Sequence, residues 1–341
     1  MMDGWPVWLG AVVLGIATAV LVIGGGPFTR LVDRIADRTK MGETLAGIVL
    51  VGAVTSLPGL ITSVIGAAQG DAAFAMNNAL GGIALQTTFI ALADVFYRSA
   101  NLEHAAASLP NLLAPIGLST MLAVVLVSGM GPQIAVAGVH PASALLVFVY
   151  WYWLRLSHQV AADPMWRVKP TLLTRADTPN PAAQRPGESL RSMWLKFAGL
   201  AVLISATGYV VAEAGLSLTA QTGLSSGFVG AVITGFVTST PELVTVLYAV
   251  RIRALHLALG DIIGGNGFDV LFLAASDIAY RNGAIYGAMN REVVLVLGLG
   301  LILNLLVAAG LIRRQQSGIG FEGIAIFAAY LVGVVFLTMI G

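Results

Sequence analysis

G-F-V-T-S-T-P-E-L at 235–243 lies inside the apolar stretch 222–251, and G-A-V-T-S-L-P-G-L at 52–60 sets out the same frame 183 residues earlier. The same shift lays residues 46–98 over 229–281 without a gap. Beyond Thr55/Thr238, Ser56/Ser239 and Pro58/Pro241, the matches include Gly81/Gly264, Gly82/Gly265, Asp94/Asp277, Tyr97/Tyr280 and Arg98/Arg281. Apolar composition alone produces chance pairs of Val or Leu. It does not place Thr-Ser-x-Pro over itself and Asp-x-x-Tyr-Arg over itself. The chain is an internal duplication.

The 341 residues are 57% hydrophobic and only 10% charged, with no Cys, and their mean hydropathy is +0.87. Soluble domains carry about 25% charged residues. That gap excludes a cytosolic enzyme, a nucleic-acid binder and a disulfide-stapled module, and makes the lipid bilayer the solvent. Spans of roughly 20 apolar residues are predicted at about 7–29, 44–69, 72–97, 110–130, 133–156, 193–215, 222–251, 254–280, 289–313 and 320–340. Met1 to Pro6 hold no Lys or Arg, so the first span does not read as a secretory signal, which starts basic. Residues 157–192, with Pro164, Pro170, Pro179, Pro181 and Pro186, read as a linker too small for its own core. The chain thus divides into 1–156, the linker 157–192, and 193–341.

Cytoplasmic links are enriched in Lys and Arg. Of the 18 basic residues, all but Arg281 and Arg291 fall on one side of the predicted topology. This places both termini outside, and the 157–192 loop in the cytoplasm of a plasma (inner) membrane. Five spans per copy is an odd number, so the second copy enters from the opposite side. The expected fold is an all-α integral membrane protein of ten transmembrane helices, built as two inverted five-helix repeats with discontinuous helices at the midplane. Inverted repeats characterise secondary transporters, with substrate held where broken helices from the two halves meet. Pro58 and Pro241 mark breaks because a mid-span Pro frees backbone carbonyls. The pairs Gly81-Gly82 and Gly264-Gly265 are expected to interrupt the following span of each copy.

A charged group at mid-bilayer costs at least about 2.5–3.5 kcal/mol and normally marks function. Glu242 follows Pro241 in mid-span, and Asp261 sits inside the next span with Asp269 two turns on. Thr238 and Ser239 lie within a turn of Glu242, where helical spacing lets their oxygens share a face. With Asn78 and the freed carbonyls they form an all-oxygen cage suited to hard cations such as Ca²⁺ or Na⁺ rather than soft metals. The plainer alternative for Glu242 and Asp261 is a carboxylate that holds a kinked helix by hydrogen bonds. Asp269 reads equally as a proton-path group or as a partner of Asn266. Asp94 and Asp277, beside Arg98 and Arg281, read as interfacial anchors, and Tyr150 to Trp153 as an aromatic belt. His256 is expected to be solvated, and His140 and His158 form no ligand pair. No H-E-x-x-H, paired aspartyl-protease acids, partnered Ser and His, or phosphate loop supports an intramembrane enzyme.

The two T-S-x-P segments together with A-L-G-D-I-I-G-G-N-G-F-D (258–269) resemble the signature repeats of the calcium/cation antiporter superfamily, which includes the sodium/calcium exchangers. The resemblance implies cation exchange by alternating access, with inorganic cations as substrates and no resident cofactor. It carries metal-ligand roles onto Glu242, Asp261, Asn78, Thr55, Ser56, Thr238 and Ser239, with Asp269 as a further candidate. The departures are as informative. Gly59 stands where the first repeat's ligand glutamate is expected, and Phe74 and Leu257 where serine ligands are expected. Three readings follow: exchange of a divalent cation, Ca²⁺ foremost, for H⁺; exchange for Na⁺ at altered stoichiometry or of a different cation; or a non-transporting membrane sensor or partner protein. The sequence does not set the oligomeric state; a monomer is compatible with it.

Overall fold

The computed structural model describes residues 5–39, 46–97, 99–169, 171–174, 189–313, 315 and 318–341. Lys40, Arg98, Arg314 and part of the linker, including Pro170, Arg175, Pro179, Pro181, Arg185 and Pro186, lie outside the described residues. The described chain is helical. Its long helices are α1 (Val7–Thr39), α2 (Leu57–Ala68), α3 (Ala72–Phe96), α4 (Leu109–Met130), α5 (Pro141–Ala162), α6 (Leu190–Thr222), α7 (Thr240–Ile252), α8 (Leu255–Ala279), α9 (Arg291–Ile312) and α10 (Phe321–Ile340). Among the described residues seven helices are long and apolar enough to cross a membrane, or eight when the bent pair ending in α7 is one span. The predicted spans shift where local chemistry dictates. Helix α1 continues through Pro27 to Thr39, past the predicted end at 29, and α5 begins only at Pro141 because 133–140 forms a turn.

The duplication is visible in the element bounds. Helices α1 and α6 are each 33 residues long, and α3 and α8 each 25, with both ends of each pair 183 residues apart. Ahead of α2 and α7 stands the same sequence of pieces. A π-helical turn (Gly47–Gly52 and Val229–Thr234) runs into a short α-helical turn (Ala53–Thr55 and Gly235–Thr238) that ends at Ser56 and Ser239. The next helix then starts with Pro in its first turn. The widened turn leaves backbone groups off the regular ladder, a feature frequent at functional sites. Proline is tolerated in a first turn because no intrahelical partner exists there for its missing N–H. The segment ending at Thr238 meets α7 at 41°.

Helices α3 and α8 form the centre. In their most apolar windows 83% and 89% of residues are buried, against 28% in α1 and in α6, whose outer faces are left to lipid. Both central helices run unbroken through their glycine pairs, so the expected interruption at Gly81-Gly82 and Gly264-Gly265 does not occur. The glycines serve close approach instead. A Cβ on Gly81 would stand 2.4 Å from the Ala231 backbone, and one on Gly52 would stand 2.7 Å from the Gly265 nitrogen. Absence of side chains lets α3 and α8 press against the π-helical turns of the opposite copies.

Candidate cation-binding site

Both breaks deliver hydroxyls to the buried centre, and the second also delivers an acid, Glu242. Glu242 sits in the first turn of α7, where the helix dipole favours negative charge. The Ser56 hydroxyl, from the break of the other copy, donates to Glu242 Oε1 at 3.4 Å. Asp261, in the second turn of α8, takes one hydroxyl from each copy. Thr55 donates to its Oδ1 at 3.4 Å, and Thr245 donates to its Oδ2. Two turns further along α8, Asp269 Oδ2 accepts 2.8 Å from Gln86 Nε2, which also donates to Ser239 Oγ at 3.2 Å. Gln86 occupies on α3 the position that Asp269 occupies on α8, so the two repeats meet here through equivalent residues.

All of these side chains are buried, yet four of their oxygens have no hydrogen-bond partner: Glu242 Oε2, Asp269 Oδ1, Gln86 Oε1 and Asn266 Oδ1. A buried acceptor left unsatisfied costs about 1–3 kcal/mol, more when charged. Such groups are rare enough that each calls for an explanation. The cluster also places Gly82 and Gly265 against it: a Cβ on Gly82 would meet Ser239 Oγ at 3.4 Å, and one on Gly265 would meet Ser56 Oγ at 3.5 Å. A Cβ on Gly265 would also stand 3.7 Å from the free Gln86 Oε1. Among the described residues no three acidic or imidazole groups converge as a ready metal cluster. The oxygens here are mixed in kind, from carboxylates, two carboxamides and hydroxyls.

The structure separates the sequence candidates. Asp269 and Ser239 are joined through Gln86, and Glu242 pairs with Ser56. Thr55 and Asp261 form a neighbouring network with Thr245. Asn78 is turned elsewhere: its amide donates to Ser63 Oγ at 2.9 Å and the Gly59 carbonyl at 3.1 Å, and its Oδ1 accepts 2.8 Å from Thr234 Oγ1. Thr238 donates at 3.4 Å to the Gly235 carbonyl of its own turn. Sequence reasoning missed Gln86, Asn266 and Thr245. The duplication held the signal for Gln86, since aligning the copies puts it over Asp269.

Gly59 lies in the first turn of α2 and is buried. A Cβ added there would stand 2.8 Å from Cε2 of Phe272, a fully packed side chain of α8. An aromatic ring thus fills the space beside the position where a second glutamate was expected.

Two other expectations need correction. Asp94 and Asp277 are buried and organise the loops that follow their helices. Asp94 Oδ1 accepts 2.7 Å from the Leu102 N–H, and Asp277 Oδ1 accepts 2.9 Å from the equivalent Ile285 N–H. Asp277 also accepts from the His140 N–H and the Ser143 hydroxyl, both at 2.7 Å. An N–H left bare at the end of a buried helix would be costly, so these acids cap loops rather than anchor at the interface. His256 is buried in the first turn of α8 rather than solvated. Within the aromatic run, Trp151 and Tyr152 are exposed, while Trp153 turns inward over Gly117.

Comparison with known proteins agrees with this architecture. Residues 9–154 and 192–339 match the family described as sodium/calcium exchanger protein. A relative from Alkalimonas amylolytica, CaxA, provisionally described as an antiporter, is 24% identical over 321 residues, covering 93% of this chain and 94% of its own. The sodium-calcium exchanger NCX_Mj soaked with 100 mM Na⁺ and 10 mM Sr²⁺ superposes with a TM-score of 0.63 at 18% identity, covering 97% of this chain and 99% of that one. Soaked with 10 mM Na⁺ and no Ca²⁺, the same exchanger gives 0.61 at 17% identity over the same shares. At that identity the likeness concerns the fold. The family match spans both repeats and leaves out only the termini and the central linker, and on it the chain belongs to the sodium/calcium exchanger protein family, whose members are membrane transporters and not enzymes.

Proposed function

We propose that the chain is a secondary-active cation antiporter that exchanges a hard divalent cation, Ca²⁺ foremost, for Na⁺ or H⁺ by alternating access. The observation that carries this reading is the set of free buried oxygens on Glu242, Asp269, Gln86 and Asn266. A hard cation satisfies such oxygens as no hydrogen-bond donor nearby does. Glu242 and Asp269 supply the charge, and Gln86 and Asn266 the neutral oxygens. Ser56 and Ser239, which already touch the acids or their partner, complete the shell. Asp261, both of whose oxygens already accept from Thr55 and Thr245, lies beside this shell and adds no free oxygen to it. Thr238 and Asn78, whose side chains bond to the Gly235 carbonyl and to Ser63, Gly59 and Thr234, stand outside this shell.

The working architecture is ten spans in two inverted halves, 1–156 and 193–341, joined by the cytoplasmic linker 157–192. Both termini are outside, in a plasma membrane, and the monomer transports without a resident cofactor. The equal bounds of the paired helices and the 16-to-2 distribution of basic residues support it. The second reading, a family member that carries another cation or none, draws on one observation: Phe272 fills the place beside Gly59. The deciding experiment is ⁴⁵Ca²⁺ uptake into proteoliposomes, driven in turn by an outward Na⁺ gradient and an outward H⁺ gradient. Uptake names the coupling ion. Absence of uptake under both gradients refutes calcium exchange and favours the second reading.

A further inference from the structure

Three acids that play no part in the proposed transport site meet where α3 ends. Asp94 lies eight residues beyond Gln86 on α3, about 12 Å further along the helix axis. Glu103 sits in the short helical turn Leu102–Ala105 that follows, and Glu322 in the first turn of α10. All three are buried. The Asn101 amide nitrogen stands between two of them, donating to Glu322 Oε1 at 3.0 Å and reaching Asp94 Oδ2 at 3.5 Å. Two carboxylate oxygens in this pocket, Glu103 Oε2 and Glu322 Oε2, accept no hydrogen bond at all. Burial, with the charges of Asp94 and Glu322 adding to it, pushes the Glu103 carboxyl up to about 8.

The other copy shows what such a corner needs when it only has to hold a loop. Asp277, the counterpart of Asp94, is saturated by the His140 and Ile285 N–H groups and the Ser143 hydroxyl, with Tyr286 behind it. Neutral donors finish that corner. In the Asp94 corner the loop is capped in the same way through Leu102, and two further acids are added that the cap does not use.

We propose that Asp94, Glu103 and Glu322 hold a second divalent cation at the junction of α3, the Leu102–Ala105 turn and α10, apart from the Glu242–Asp269 cluster. Buried carboxylate oxygens select a hard ion, and a divalent cation offsets two of the three negative charges where Na⁺ would offset only one. Among the described residues no three acids stand ready at coordinating distance, so binding closes the site. The ion takes the place between Asp94 and Glu322 that the Asn101 nitrogen marks, and draws in the Glu103 carboxylate, whose free oxygen gives up no partner. Occupancy thereby ties the loop after α3 to the start of α10.

The test is calorimetric titration of the purified full chain in detergent with Ca²⁺, and again with Mn²⁺, comparing wild type with Glu103→Gln, Glu322→Gln and Glu242→Gln. Wild type is expected to bind two equivalents. Glu103→Gln and Glu322→Gln each lose one, or weaken it at least tenfold, and keep the other, while Glu242→Gln loses the complementary one. If Glu242→Gln titrates like wild type while Glu103→Gln does not, the transport-site reading fails and this one stands. If Glu103→Gln and Glu322→Gln titrate like wild type with both ions, or if neither ion binds wild type, the second site is refuted. Should Glu322→Gln aggregate on gel filtration, Glu103→Gln decides alone, because it leaves the Asp94 cap intact.

Discussion

At the scale of single residues the decisive feature is where hydrogen bonding stops. Glu242 has one oxygen on Ser56 and one free. Replacing that carboxylate with an amide keeps the shape, removes the charge, and can turn an N–H toward the cation. Glu242→Gln is therefore expected to reduce gradient-driven cation flux in proteoliposomes by at least a hundredfold with little change in melting temperature; wild-type flux would remove Glu242 from the site. Gly59 gives a sharper test. Glu at this position alone must displace Phe272, and overpacking of this kind costs about 1–3 kcal/mol, so Gly59→Glu is expected to lower thermal stability without improving transport. The double variant Gly59→Glu, Phe272→Ala opens the space the ring occupies. It should regain stability over the single variant and tighten half-saturation by Ca²⁺ about tenfold. If it folds and its Ca²⁺ dependence stays at the wild-type value, position 59 does not face the cation.

At the scale of elements, the glycines decide how closely broken and unbroken helices pack. Gly208 of α6 sits against the Pro58 break, where a Cβ would stand 2.5 Å from the Pro58 carbonyl oxygen, and its counterpart Gly25 of α1 sits against Val244 of α7. Gly81 is tighter still, since its obstacle is the Ala231 backbone, which cannot rotate away. Gly81→Leu is expected to destabilise by about 3 kcal/mol or more through overpacking. Gly15→Ala, which meets nothing within 4 Å, should stay within about 1 kcal/mol of wild type. Thermal melts of the two variants in the same detergent check both, and equal melting temperatures would contradict the packing described. This scale also shows what was legible beforehand. The breaks at Ser56 and Ser239 could be read because Pro states its own backbone requirement. The role of the glycine pairs could not, since glycine permits a break and a close approach alike, and only the facing Ala231 or Gly52 backbone separates the two. Glu242 stood out because a lone acid among apolar residues is costly. Gln86 did not, because a neutral amide in an apolar helix carries no such penalty signal, and Asn78 drew attention by its alignment while its amide serves the Ser63–Thr234 network.

At the scale of the whole molecule the question is orientation, because the inverted repeat proposed here makes the two halves face opposite ways. The duplication supplies its own pair of reporters. Ser99 and Asn282 occupy equivalent positions just after α3 and α8, and both are exposed. The chain has no Cys, so single replacements Ser99→Cys and Asn282→Cys introduce unique thiols without a background to remove. In an inverted repeat the two must lie on opposite sides of the membrane. The basic residues are gathered on the side of Ser99 and sparse on that of Asn282, so the proposed topology has Ser99 on the cytoplasmic side. A membrane-impermeant maleimide applied to intact cells is thus expected to label Asn282→Cys at once and Ser99→Cys only after the membrane is permeabilised. The reverse pattern would keep the inversion and overturn the sidedness. Labelling of both thiols from one side would make the repeats parallel and overturn the inverted architecture proposed here.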